Sequence, residues 1–143
     1  MPKTYSSIWI HLIWTTKDRN PFIAKDFNVA LCTFIRRNTA EKDITVDMIN
    51  GVEEHMHALI RLKPVQSVSE VMKQIKGASA RWINAEELLS LKFQWQQGYG
   101  ALSVNPDDID KVRKYIKNQR QHHKNWELED ELQRFRYFNE EAQ

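Results

Sequence analysis

Two short patterns in this chain carry side chains able to do chemistry. His55 and His57 open the run HMHALIRLK at residues 55–63. Residues i and i+2 of a strand project from one face, so the two imidazoles would stand side by side while Met56 turns into the core. Two neutral imidazoles at that separation can chelate one divalent ion. The competing reading is a pair of surface histidines on a half-solvated strand.

The second pattern is Tyr115 with Gln119, four residues apart in a segment that reads as helix. That spacing is just over one turn, so both side chains lie on one stripe. At about 100° per residue, Lys111 and His122 fall within about 40° of Tyr115. The apolar face runs through Ile109, Val112 and Ile116, which places Tyr115 at its margin. An amphipathic tyrosine that packs its ring and wets its hydroxyl is the plain alternative. Around the stripe lie Lys111, Arg113, Lys114, Lys117, Arg120 and Lys124 with no acidic residue among them. Such a run is an ordinary solvated face, or a surface that holds phosphates by counterion release.

The elements that must position these residues follow from periodicity. Residues 5–16 alternate as a strand, with Ile8, Ile10, Leu12 and Trp14 on one face and Trp9, His11, Ile13 and Thr15 on the other. Residues 17–20 with Pro21 close it as a turn. Asp26 reads as the N-cap of a helix whose Phe27, Leu31, Phe34 and Ile35 share a face. Ile44 to Ile49 reads as a second strand, ended by Asn50-Gly51 as a hairpin-type turn. Residues 55–63 form a third strand that Pro64 terminates. Ser67 and Glu70 make a capping box that opens a helix burying Val68, Val71, Met72, Ile75 and Ile83. Phe93 to Val104 reads as a strand or hairpin, bent at Gly98-Tyr99-Gly100. Asn105 caps the next helix, with Pro106 at its first position and Asp107 and Asp108 complementing its dipole. Residues 128–138 read as a short final helix. The order β-α-β-β-α-β with added helices predicts an α+β, ferredoxin-like (split βαβ) antiparallel sheet with two helices on one face and an extra C-terminal helix.

Composition agrees with one such domain. The chain has 143 residues, 41% hydrophobic and 28% charged, which argues against wholesale disorder. A single cysteine, Cys32, excludes an internal disulfide and any multi-cysteine metal framework. The longest apolar runs are too short to span a bilayer, and no signal-peptide core follows Met1-Pro2-Lys3, so a cytoplasmic protein is expected. The net charge of +2 conceals a division: residues 126–143 carry about −4 and the rest about +6. The organisation expected is therefore a functional domain over 1–125 and an acidic helical tail over 126–143 of the same domain.

Taken together these features resemble the HUH superfamily of single-strand DNA nucleases, and within it the small single-tyrosine transposases of bacterial insertion sequences and their REP-associated relatives. His55-Met56-His57 matches the His-hydrophobic-His strand, and Tyr115-Ile116-Lys117-Asn118-Gln119 matches the Tyr-x-x-x-Gln helix. Residues 11–17, HLIWTTK, and 95–99, WQQGY, also look like that family. The similarity covers roughly residues 5–124, and the acidic tail is the part it explains least. The resemblance implies Tyr115 as a nucleophile forming a 5′-phosphotyrosine, with His55, His57 and Gln119 holding Mg²⁺ or Mn²⁺. It implies cleavage and rejoining of single-stranded DNA bearing hairpins at element ends. It also implies a homodimer in which Tyr115 can complete the partner's histidine site. Lys73, Lys76, Arg81, Lys111, Arg113, Lys114, Lys117 and Arg120 are then the expected DNA contacts, and His11 and His122 supporting residues. The alternatives are a domesticated REP-associated nuclease or a non-catalytic nucleic-acid-binding module, since ferredoxin-like folds are shared with RNA-binding domains.

Overall fold

Alternating side chains on a strand have two fates, and the run from His55 finds both of its faces covered. In the computed structural model, which describes residues 3–123 apart from the side chains of His122 and His123, β3 (His55–Arg61) is buried along all but its last residue. It lies inside a four-stranded sheet with β1 (Trp9–Thr15), β2 (Thr45–Gly51) and β4 (Gly100–Ser103), in the order β2-β3-β1-β4. Every neighbouring pair is antiparallel, as the split βαβ reading requires.

One face carries the main core. Leu12 and Trp14 of β1, Met56, Ala58 and Ile60 of β3, and Ile49 of β2 meet α1 (Lys25–Glu41) and α2 (Val68–Ala85). From the helices come Leu31, Ile35, Val71, Met72, Ile75 and Ile83. The opposite face carries a smaller cluster in which Leu59 meets Val112 and Ile116 of α3 (Ile109–Lys117), flanked by Trp9, Met48, Val104 and Ile109. The odd-numbered residues of β3, His55 and His57 among them, point to this second side. The last described helix, α4 (Gln119–His123), follows after Asn118. No described helix is long and apolar enough to cross a membrane. The helix expected over 128–138, and the acidic tail, lie outside the described residues.

The predicted Ser67 cap forms, with its hydroxyl accepting from Glu70 N at 3.1 Å. Asn105 likewise accepts from Asp107 N, and Pro106 sits where a missing N–H costs nothing. Four expectations need correction. The helix of Asp26 starts at Lys25 behind Ala24, so Asp26 is a first-turn residue that complements the dipole and does not cap. Asn50 and Gly51 lie inside β2, paired with His57 and Met56, and the turn falls at residues 52–54. Gly51 is required there by space: a Cβ would overlap Met56 Sδ and come within 2.9 Å of Asn28 Oδ1. Of the stretch Phe93 to Val104, only Gly100–Ser103 is strand. Trp95 makes an isolated bridge to Thr16, and Gly98 supplies the bend with φ +85°. Finally, the helix after Pro106 is interrupted at Asn118, where ψ turns to +23°.

Burial pushes the Cys32 thiol on α1 from its ordinary value of 9.0 up to about 11, against the pull of Arg36 and Arg120. The folded chain thus keeps a proton that the unfolded chain releases between 9.0 and about 11, and stability should fall as pH rises through that window. Alkylation by iodoacetamide at about pH 8 should be markedly slower in native protein than in urea-unfolded protein, because the thiolate is the nucleophile. Equal rates would refute the burial argument.

Candidate active site

The central strand brings the two histidines together and its neighbours orient them. His55 and His57 are both 0% exposed, with ring centroids 5.0 Å apart. His55 Nδ1 donates to Glu54 Oε1 at 3.0 Å, and Arg19 approaches the same carboxylate oxygen at 3.8 Å. A carboxylate only accepts, so the ring proton sits on Nδ1 and the lone pair of a neutral His55 sits on Nε2. His57 Nδ1 lies 2.8 Å from Nε2 of His11, which is diagonal to it across the β1–β3 pairing. In both rings, then, Nδ1 is engaged by a neighbour. That is how imidazoles are oriented to present Nε2 elsewhere. His55 Nε2 meets the side-chain amide of Gln119 at 3.2 Å, and Gln119 is itself fully buried.

Tyr115 reaches the histidines from α3. Its ring is 5.9 Å from that of His57, inclined at 68°. Val112 and Ile116 seat the helix on Leu59, leaving Tyr115 half-buried at the margin, as the helical spacing predicts. A polar clamp supplements this small apolar contact. The extra residue of a bulge in β2, Asp47, turns out of the ladder, and both its oxygens accept from Arg113 at 2.7 Å. Asp110 adds a further bond at 2.9 Å, and the paired carboxylates hold the Arg113 pKa above its already high ordinary value. Tyr115 and Gln119 do not share one continuous helix, because the break at Asn118 puts Gln119 at the start of α4. Both nonetheless face the histidine pair.

The cations named from sequence are not one patch. Lys73, Lys76 and Arg81 belong to α2 on one side of the sheet, and Lys111, Arg113, Lys114 and Lys117 to α3 on the other. Several are engaged within the fold. Lys76 donates to the carbonyls of Gln96 and Gly98 at 2.7 and 3.0 Å, and burial lowers its pKa. Arg113 is held as above, Arg120 pairs with Glu53 at 3.1 Å, and Lys111 lies 3.9 Å from Asp108. Lys73, Arg81, Lys114 and Lys117 are exposed and make no ion pair among the described residues. Arg81 borders a groove of about 830 Å³ with Lys17, Lys92 and Gln97. The side chain of His122 lies outside the described residues.

Three residues around the site escape sequence reasoning. Glu54 had a faint signal, an acidic residue directly before the first histidine. Asp47 had none, since a bulge cannot be read from spacing. Asn50 was masked by its glycine neighbour, the pair being the strongest short hairpin signal. Among the described residues no group of three or more His, Cys, Asp or Glu side chains is arranged to hold a metal ion.

Residues 4–119 match the family described as "Transposase IS200 like", an interval that contains His55, His57, Tyr115 and Gln119. The ISDra2 transposase TnpA of Deinococcus radiodurans is 28% identical over 114 residues, covering 76% of this chain and 81% of that protein. The transposase for insertion sequence element IS200 of Salmonella typhimurium is 26% identical over 115 residues, covering 76% and 74%. Among solved structures, a Deinococcus radiodurans protein described as a transposase superposes with a TM-score of 0.66 at 24% identity, over 83% of this chain and 96% of that one. A REP-associated tyrosine transposase bound to a REP hairpin shares the fold with a TM-score of 0.60 at 18% identity, over 86% and 74%.

Proposed function

The chain belongs to the IS200-like transposase family, and from that premise we propose that it cleaves and rejoins single-stranded DNA through a covalent phosphotyrosine on Tyr115. One observation carries the reading: a tyrosine ring and a glutamine amide from the C-terminal helices converge on the same buried histidine pair. Tyr115 Oη attacks the phosphorus, an O–P bond to the tyrosine forms, and the bond from phosphorus to the 3′-oxygen breaks. The 5′-phosphate stays on the enzyme, and the tyrosine's proton is balanced by the one that ends on the 3′-hydroxyl. Attack by another 3′-hydroxyl reverses the sequence and restores the tyrosine, so rejoining needs no ATP. Tyrosine has an ordinary pKa near 10, so its proton must leave as the O–P bond forms.

The donor set fits a divalent ion. His55 and His57 each present Nε2 with Nδ1 occupied, and Gln119 adds an amide oxygen after rotation of its side chain. Imidazole-rich sets suit Mn²⁺ better than Mg²⁺, with substrate oxygens completing either. When bound, the ion polarises a non-bridging phosphate oxygen as a Lewis acid. Glu54 and His11 hold the rings in place, and Asp47 with Arg113 holds the tyrosine helix.

DNA bearing a hairpin is the proposed substrate, in keeping with the hairpin-bound relative of the same fold. Lys114 and Lys117, exposed on the helix that carries Tyr115, and Lys73 and Arg81, exposed on the helix across the sheet, are the proposed backbone contacts. The decisive assay incubates the full chain with labelled single-stranded hairpins and Mn²⁺ and looks for a protein–DNA adduct that survives denaturation. Absence of any adduct across a diverse hairpin pool would sink the reading.

The expected homodimer need not share its sites, because Tyr115 sits beside His57 of its own chain. We therefore propose sites built within one chain. Mixing Tyr115→Phe protein with His57→Ala protein, followed by unfolding and refolding together, should give no adduct. Recovery of activity in the mixture would mean that the tyrosine serves a partner's site.

A further inference from the structure

Asn50 has a role that its sequence context hides. Its side-chain amide is satisfied at every position. Nδ2 donates to the carbonyls of Ile116 and Lys117 at 3.0 and 3.1 Å, while Oδ1 accepts from Asn28 Nδ2 and from Gly51 N, both at 2.9 Å. Carbonyls only accept and a backbone N–H only donates, so these partners fix which way the amide points.

In an unbroken helix the carbonyls of residues 116 and 117 would receive the N–H groups of residues 120 and 121. Here Gln121 N donates to Asn118 O at 3.0 Å, and Asn118 leaves helical geometry with φ −98° and ψ 23°. Carbonyls left over at a helix end take donors from side chains or water. Asn50 supplies both donors in one side chain. The residue just past the break is Gln119, buried with its amide 3.2 Å from His55 Nε2. Behind Asn50 stands Asn28 of α1, 6% exposed, whose own Oδ1 accepts from Cys32 Sγ at 3.4 Å. Gly51 lets these groups approach so closely, since a Cβ there would crowd Asn28 Oδ1.

We propose that Asn50, buttressed by Asn28, is a positioning residue that stabilises the break after Lys117 and thereby aims Gln119 at the histidine pair. The proposal rests on the reading of Gln119 as a partner of His55 and His57 in holding the ion. It acts through Gln119 alone, which separates it from a general structural role.

The test uses the full chain and two readouts: Mn²⁺ affinity without DNA, by electron paramagnetic resonance of free Mn²⁺, and the rate of adduct formation. Asn50→Ala should weaken Mn²⁺ binding by about 10- to 100-fold, the usual cost of losing a group that orients a ligand. It should reach the level of Gln119→Ala and go no further. The double variant Asn50→Ala/Gln119→Ala should bind Mn²⁺ as Gln119→Ala does, because a residue acting only through another adds nothing once that one is gone. Asn50→Asp, similar in volume but facing two carbonyls with an acceptor, should lose as much as Asn50→Ala. Asn28→Ala, which removes only the buttress, should fall between wild type and Asn50→Ala and gives the answer if Asn50 variants fail to fold. Wild-type Mn²⁺ affinity in folded Asn50→Ala or Asn28→Ala, or additive losses in the double variant, would overturn the proposal. Wild-type protein that binds Mn²⁺ yet forms no adduct would sink the phosphotyrosine reading and leave this one standing. Wild-type protein with no Mn²⁺ affinity would overturn this proposal, while adduct formation would still decide the phosphotyrosine reading.

Discussion

Tyr115→Phe should abolish the covalent protein–DNA adduct and leave hairpin binding nearly intact. The substitution removes one oxygen and keeps the ring that packs at 5.9 Å against His57. Its effect on stability is that of a single hydroxyl's hydrogen bonding, about 1 kcal/mol. Its effect on chemistry is far larger, because the nucleophile is the only group able to form the intermediate. Removing a nucleophile from a site whose residues act as a unit costs several orders of magnitude, so adduct yield should fall at least about 1,000-fold. DNA affinity should stay within about twofold, or about 0.4 kcal/mol, since the phosphate contacts lie elsewhere. Denaturing gels read the first quantity and filter binding under native conditions reads the second. Persistence of the adduct in Tyr115→Phe would transfer the nucleophile to another residue and break the assignment. Loss of binding together with the adduct would instead make Tyr115 a DNA contact.

How far the sequence leads depends on whether the deciding interaction is local. The alternation read over residues 5–16 and 55–63 is a local property, and it yields the two central strands, which are shorter, at Trp9–Thr15 and His55–Arg61. Ser67 and Asn105 cap their helices through atoms two or three residues away, so both are legible. The side-by-side histidines are legible for the same reason, whereas Tyr115 and Gln119 face the pair although the single helix read for them is broken at Asn118. Failures arise where a distant partner decides. Asn50-Gly51 carries strong turn chemistry, yet Ile116, Lys117, Asn28 and Met56 claim it for a strand interior. The break at Asn118 follows from donors on β2, not from any breaker in the helix. The bulge at Asp47 is likewise explained by Arg113, 66 residues later. The cations show the converse: their number is plain in the sequence, but which are spent on internal carboxylates and carbonyls is a tertiary fact.

The orientation of the histidine rings sets the second large effect. His57→Ala removes an imidazole that is fully buried and whose Nδ1 meets His11 at 2.8 Å. If that imidazole holds a divalent ion, its loss forfeits transition-state charge stabilisation worth several kcal/mol. At about 1.4 kcal/mol per tenfold, cleavage should drop by about three orders of magnitude. Excess Mn²⁺ should restore part of the rate, because His55 and Gln119 remain and a weakened site is filled by mass action. Stability should also fall, by about 1–3 kcal/mol, as His11 loses a buried partner. A thermal melt therefore accompanies the assay, and His57→Gln, which keeps a polar side chain near His11, separates folding from chemistry. Glu54→Gln provides the graded comparison. It leaves every proposed ligand in place but replaces the carboxylate that holds His55 Nδ1, and should cost about 10- to 100-fold in Mn²⁺ affinity. The expected ranking of damage is His57→Ala, then Glu54→Gln, then wild type, with Mn²⁺ rescue strongest in the middle case. A His57→Ala protein that melts like wild type and cleaves at the wild-type rate would remove the metal from this site. So would equal losses in His57→Ala at all Mn²⁺ concentrations, since a defect in binding the ion must respond to the ion.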